Sequence, residues 1–398
     1  SPFSSWVARP LPNQDLQLSV DLDSKSGVLL IEQLEMRSGN SDLSVTGRAA
    51  NPSFPQLTLA GQSQLINLAP WRPTFLAGKA NMDSEVTTAS TPPPTSQLIP
   101  DYPISFDAWK EFEADISLDI DNLTGLLRPL EELQSVFSLQ RDGLRVDELS
   151  FDDGVNGSVA MSGSLVDQDK TPHLDLALTG ESLIYGIPKA PEEDVDALPA
   201  YDVKLRLTGS GQTTRTLAKS LNGYLNLAMG SGHILNTGFD RLSNTFLQEL
   251  SNALNPFKEQ QTVTAINCAA VFNTIENGQA FGQPSIVVDT PKVKILADTH
   301  VSFDTEKVKA SFKTIPQKGL GINMSSLVNP FVEVTGTLSA PRISLNPANT
   351  VVGGSLAVVT GGISLLLRSV LERLSTARNI CAKRLQKANE AMAELDSL

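Results

Sequence analysis

Along most of the chain apolar and polar residues alternate with a period of two, the pattern that puts one greasy and one polar face on a β-strand. Leu16, Leu18, Val20 and Leu22 alternate with Gln17, Ser19 and Asp21; Ile116, Leu118 and Ile120 with Ser117 and Asp119; Val203, Leu205 and Leu207 with Lys204 and Arg206. Shorter runs repeat the rule at Leu174, Leu176 and Leu178 and at Leu225 and Leu227. Many runs reach a small or polar residue followed by glycine (Thr46-Gly47, Ala60-Gly61, Ser162-Gly163, Thr179-Gly180, Thr208-Gly209, Thr335-Gly336), and the expectation is that these glycines end strands and supply positive φ to tight connections. Short strands with regular turns predict a mainly β protein with an antiparallel or meandering sheet.

The pattern also repeats. Residues 28–66 and 144–184 both read strand, turn, strand reaching Thr/Ser-Gly, a loop with Pro, strand, Gly and a closing apolar pair, and the alternating segments at 16–22 and 116–120 precede the two copies. Such repetition predicts an elongated β-structure that grows by adding similar hairpins along one axis. A Ser/Thr/Pro-rich stretch and an acidic, proline-bracketed stretch interrupt it as exposed loops. The expected division is a β-repeat unit at 1–83, a loop at 84–104, a second β-repeat unit at 105–187, a loop at 188–200, a β-region at 201–347 and a helical segment at 348–398. Few helices are expected. Phe239, Leu242, Phe246, Leu250 and Leu254 form a helical stripe over 239–254, a shorter helix is expected over 214–222, and the pattern turns helical again from about Gly362.

Charge narrows the partners. A net charge of −13 repels the phosphate backbone, so no nucleic acid is expected as a partner. Aromatics are 6% of the chain, too few for the stacking platforms of base or sugar binders. With three histidines and two cysteines there is no His/Cys cluster of metal-ligand spacing, and neither a phosphate loop nor a nucleophile elbow occurs. His233 follows a glycine-rich turn and His300 is read as preceding a strand; both read as turn histidines, so no catalytic residue, metal or cofactor is expected and the chain is not read as an enzyme. It opens on Ser1 without a charged and apolar leader, which reads as a portion of a longer protein.

Cys268 starts a strand and Cys381 lies in the C-terminal helix, so the pair is either a bridge tying that helix to the sheet or two separate buried thiols. Residues 351–367 are uncharged, at the lower limit of length for crossing a bilayer. Arg368, Arg373, Arg378 and Lys383 follow them in a net positive tail and are candidates for contact with lipid headgroups, the alternative being a helix that caps the open end of the sheet.

The ordered set LAKSLNGYLNLAMGSGHI (217–234), FDRLSNTFLQEL, INCAAVFNTIENGQAF (266–281), the strand run through VVDTPKVKILADTHVSFDTEKVKASFKTIP (287–316) and VEVTGTLSAPRISLNP (332–347) resembles the C-terminal region of AsmA-like proteins. The resemblance implies a curved β-sheet groove open along one side, set in the periplasm of a Gram-negative envelope and tethered to the inner membrane by an N-terminal helix that this chain lacks. It also implies a part in moving phospholipid towards the outer membrane, and a Cys268–Cys381 disulfide.

Strands with one apolar face must either pair that face against a second layer or line a trough that an apolar ligand fills. On the second reading the groove candidates are Leu118, Ile120, Leu174, Leu176, Leu178, Leu205, Leu207, Leu225 and Leu227, with phospholipid acyl chains and a membrane surface as partners, and envelope proteins as possible further ones. The alternative is a structural or assembly-assisting envelope protein in which the same residues are a closed β core.

Overall fold

Each alternating run folds as a strand because its apolar residues can share one face while neighbouring strands satisfy its backbone N–H and C=O groups. The computed structural model describes residues 15–25, 27–51, 53–71, 97–126, 128–184, 198–235, 263–317, 331–345 and 379–396. The helix expected over 239–254, the apolar segment 351–367, Arg368, Arg373, Arg378 and the greater part of both loops lie outside the described residues. The strands build one large mixed sheet of 18 strands that does not close into a barrel, with a separate two-stranded sheet beside it. The chain divides into two units, one of residues 1–96 with 104–176 and one of 97–103 with 177–398.

The first unit carries β1 (Leu16–Lys25), β2 (Val28–Ser38), β3 (Ser41–Ala50), β4 (Gln56–Ser63), β5 (Ile66–Asn67), β6 (Glu113–Thr124), β7 (Leu130–Gln140), β8 (Gly143–Asp152) and β9 (Ser158–Gln168), and begins β10 (Thr171–Ile184). Successive strands pair antiparallel except at one place, where β4 and β5 run parallel to β6. A parallel pair needs a long crossover, and residues 68–112 supply it. The repeat is visible in geometry as well as sequence. Between β2 and β3 the register shifts from Ile31↔Gly47 to Leu34↔Val45, and between β8 and β9 it shifts in the same way from Val146↔Gly163 to Leu149↔Met161. Two residues therefore oppose one at Glu32-Gln33 and again at Asp147-Glu148, a β-bulge that bends and twists the strand at the equivalent place in each copy. The strand preceding the second copy is β7; the alternating run 116–120 lies one strand earlier, in β6.

The expectation that the Thr/Ser/Ala-Gly pairs end strands holds for Gly209 and Gly336, each the next-to-last residue of its strand and Gly336 with a φ of 108°, and is corrected for the other four. Gly47, Gly61, Gly163 and Gly180 lie inside β3, β4, β9 and β10. What they supply is room: a Cβ on Gly61 would sit 2.7 Å from Leu118 Cδ2 across the β4–β6 pair, and one on Gly47 2.3 Å from the Thr58 carbonyl oxygen. Glycine at these positions lets a neighbouring strand or its leucine approach where any side chain would clash.

The second unit continues with β11 (Ala200–Ser210), α1 (Thr214–Ser220), β12 (Asn222–Met229), β13 (Gly232–Leu235), β14 (Val263–Ile266), β15 (Cys268–Glu276), β16 (Gln279–Asp289), β17 (Val293–Ser302), β18 (Val308–Pro316), β19 (Phe331–Thr337), β20 (Ala340–Leu345) and α2 (Ile380–Leu395). The short helix expected over 214–222 is α1, whose start is fixed by a capping box in which Thr213 Oγ1 accepts from the Thr216 N–H and Thr216 Oγ1 accepts from the Thr213 N–H. A strap, Gln97–Pro103, belongs to this unit. Glu306 holds it by accepting from the backbone N–H groups of Leu98 and Ile99 at 2.9 and 2.7 Å.

Candidate functional site

Antiparallel partners point their side chains to the same side, so the pairing register settles which residues share a face. In the first unit Leu34 pairs with Val45, Leu59 with Ile116, Ile116 with Phe137, Ile120 with Leu133, Leu139 with Leu144 and Leu144 with Leu165. Leu118 sits on that same face, between Gly61 and Ser135. Polar residues occupy the other face, where Ser44 pairs with Gln62 and Asp115 with Ser138. Of the predicted groove residues here, Ile120 is buried and Leu118, Leu174 and Leu176 are half-buried. The most open part of the apolar face is β1, which pairs only with β2 among the described strands and leaves Leu16, Leu18, Val20 and Leu22 45–60% exposed.

In the second unit Leu205 pairs with Leu225, Val203 with Leu227 and Leu207 with Gly223. The same face then runs from Leu227 to Val271, Ile286, Ala297, Phe312 and Val332, each the cross-strand partner of the one before. Its far end is a cluster of Ala297, Ala310, Phe312, Val332 and Val334, all buried. Leu178, Leu205, Leu207, Leu225 and Leu227 are half-buried. The register thus places Leu205, Leu207, Leu225 and Leu227 on one side of the sheet.

The opposite face of this unit is also apolar, and α2 covers it. Ala270, Val287 and Leu296 pack with Ile380 and Cys381, and Tyr224 and Phe272 pack with Ala388 and Met392. Cys268 and Cys381 form a disulfide with their Cα atoms 6.3 Å apart. The expectation that the C-terminal helix caps the open end of the sheet is corrected: α2 lies across a face, over β12, β15 and β16. The reason is its stripe of Ile380, Cys381, Ala388 and Met392, which matches the apolar side chains that β12, β15 and β16 turn towards it. Lys383, the one described headgroup candidate, is exposed on its outer side.

Arg384, in the middle of that stripe, is buried and donates from Nε to the Pro284 carbonyl oxygen at 2.6 Å and from Nη2 to that of Phe272 at 3.2 Å, with its guanidinium 4.9 Å over the Phe272 ring. Burial pulls its pKa down to about 10. Asp298, on β17 at the parity of Leu296, has its Oδ1 enclosed without a hydrogen-bond partner, and burial pushes its carboxyl up to about 6. The folded state therefore holds a proton that the unfolded chain releases between about pH 4 and 6, so stability falls as pH rises through that window. Allowing for partial solvent access, Asp298→Asn is expected to stabilise the protein by about 1–2 kcal/mol at pH 7.5 and by nothing at pH 3.5. Urea midpoints at the two pH values check this.

His300 lies inside β17, not ahead of a strand, and His233 is exposed in β13. Among the described residues no group of His, Cys, Asp and Glu could hold a metal ion, and no helix is long and apolar enough to cross a membrane. Two features escaped the sequence reading of the site. The exposed leucines of β1 were legible as alternation but not as the open end of a face, and the carboxylate of Glu306 has no local signal at all. No protein-family model matches this chain, nor does any curated protein or solved structure.

Proposed function

We propose that this chain is the periplasmic part of a non-enzymatic, inner-membrane-tethered lipid-transfer protein, whose apolar sheet face carries phospholipid acyl chains between inner and outer membranes, as its resemblance to AsmA-like proteins implies. The observation that supports this most is the apolar face itself. It is built from aliphatic side chains in register, and at β1 four of them stand 45–60% exposed in a sheet that does not close. Acyl chains suit such a face, which holds them by contact area at about 25 cal/mol per Å² and offers few polar groups to stop them sliding.

Photo-crosslinking amino acids at Leu18, Leu118 and Leu176 test the reading against the same probes at Gln17 and Ser117. Capture of phospholipid in cells at the apolar positions alone is expected, and equal or absent capture at both sets overturns it. In the structural or assembly-assisting alternative the face is only a core, and the purified protein carries no lipid in native mass spectrometry.

A further inference from the structure

The far end of β17, β18 and β19 encloses an open cavity of about 580 Å³ lined by His300, Ser302, Lys307, Lys309, Thr335 and Thr337 among others, with no carboxylate among its lining residues. Two cross-strand rows build it. In one, His300 pairs with Lys309, and the pairing of Ala310 with Val334 puts Lys309 beside Thr335, which itself pairs with Arg342. In the other, the Ser302 N–H donates across the hairpin to the Lys307 carbonyl oxygen at 2.9 Å, and the partner of Lys307 on the next strand is Thr337. Cross-strand neighbours are about 5 Å apart and same-face residues along a strand about 7 Å. Two lysine stems and an imidazole can therefore converge on one small ligand.

Two of the nearby carboxylates, on the hairpin between β17 and β18, are turned to other work. Asp304 pairs with Lys219 at 3.5 Å, and Glu306 is taken by the Leu98 and Ile99 N–H groups. Among the described residues Lys307, Lys309 and His300 make no ion pair. Asp298 and Glu333 lie one row further along, each opposite Ser311, and neither lines the hollow. In a chain of net charge −13, a hollow whose lining gathers two lysines, a histidine and four hydroxyl side chains and no carboxylate has the chemistry of an oxyanion site.

We infer that this cavity binds a phosphate-type oxyanion, met either as a free phosphate or as the headgroup of an anionic membrane lipid. Lys307 and Lys309 supply the charge, and the His300 imidazole and the Thr335 hydroxyl supply directed donors. The inference stands apart from the lipid reading of the apolar face, because Lys309 alternates along β18 with Ala310 and Phe312 and so lies on the other side of the sheet.

With only three histidines, the imidazole signals of the full chain can be assigned singly by NMR. Titration with orthophosphate is expected to shift the His300 signal saturably and leave His173 and His233 in place. The exposed pair Lys307→Gln and Lys309→Gln, which keeps the strand lengths and polarity, is expected to weaken that binding about tenfold or more, and Glu333→Gln to tighten it. Sedimentation with phosphatidylglycerol against phosphatidylcholine vesicles separates the sources: a headgroup site brings the wild type down with the anionic vesicles and the double variant not, whereas a free-phosphate site answers orthophosphate alone. No saturable response to either probe overturns the inference, as does a response that the double variant retains or that all three histidines share.

Discussion

Glu306→Ala is expected to free the Gln97–Pro103 strap and to lower the stability of the second unit by about 3 kcal/mol, because a buried carboxylate that accepts two backbone N–H bonds is removed and its donors are left without a partner. The side chain is 2% exposed, and its oxygens take the Leu98 and Ile99 N–H groups. Arg215 closes the arrangement: its guanidinium donates to the carbonyl oxygens of Asp304 and Ile99 and to Gln97 Oε1, and stands 3.9 Å from the Glu306 carboxylate. Burial opposes ionisation of Glu306, but the two N–H donors and Arg215 outweigh it and hold the carboxyl below its ordinary value of 4.5. A depressed folded pKa contributes stability that is present above the unfolded value and is lost as pH falls through the folded one. The strap should therefore loosen as pH falls below the ordinary carboxylate range, and in the alanine variant that acid step should be missing. Leu98 on the strap is 58% exposed and is followed by Ile99, so chymotryptic cleavage after Leu98 at pH 7 reports release. Cleavage of the variant at the wild-type rate at pH 7 would sink the idea. Glu306→Gln keeps one acceptor and should fall between the two.

The difference between Glu306 and Leu205 explains what was legible in the sequence. A strand residue shares a face with its neighbours two places away, so Leu205 and Leu207 announce their side locally, and the structure only adds that Leu225 is the cross-strand partner. Glu306 stands in a run, FDTEKV, whose polar centre carries no apolar period to mark it as buried. Its burial comes from a strap about two hundred residues earlier, which no local period encodes. The internal glycines fail for the same reason: Gly61 reads as a strand end until Leu118, brought alongside by a parallel crossover, shows why a side chain cannot fit. Strand β7 was missed because its register shifts between Glu131 and Gln134, which breaks the alternation and leaves Leu130 and Leu133 at helical spacing. For the cysteines, residue types alone leave both a bridge and two free thiols open. Only the docking of the Ile380–Met392 stripe onto Ala270 and Phe272 brings the two sulfurs together.

Reduction of the Cys268–Cys381 bridge, or replacement of both residues by Ala, is expected to cost the second unit about 4–5 kcal/mol, since the bridge closes a sequence separation of 113 residues and removes that much freedom from the unfolded chain. The loss should concentrate in α2. A single helix of 16 residues is marginal in water, and its hold on the sheet otherwise includes Ile380, Ala388, Met392, the two carbonyl bonds of Arg384 and the bond from the Tyr224 hydroxyl to Asp396. Arg384 makes the balance sharper, because a guanidinium desolvated enough for its pKa to fall to about 10 gains from returning to water once the covalent tie is gone. Amide exchange over 380–395 should therefore rise by orders of magnitude on reduction, while exchange in β2 and β3 of the first unit stays as it was. Thermal unfolding of the second unit should drop by on the order of 10 °C. If α2 keeps its protection after reduction, the stripe alone holds it and the bridge is a consequence of docking. If instead protection is lost and Arg384→Met restores part of it, the helix is held by the disulfide against a buried charge that by itself favours release.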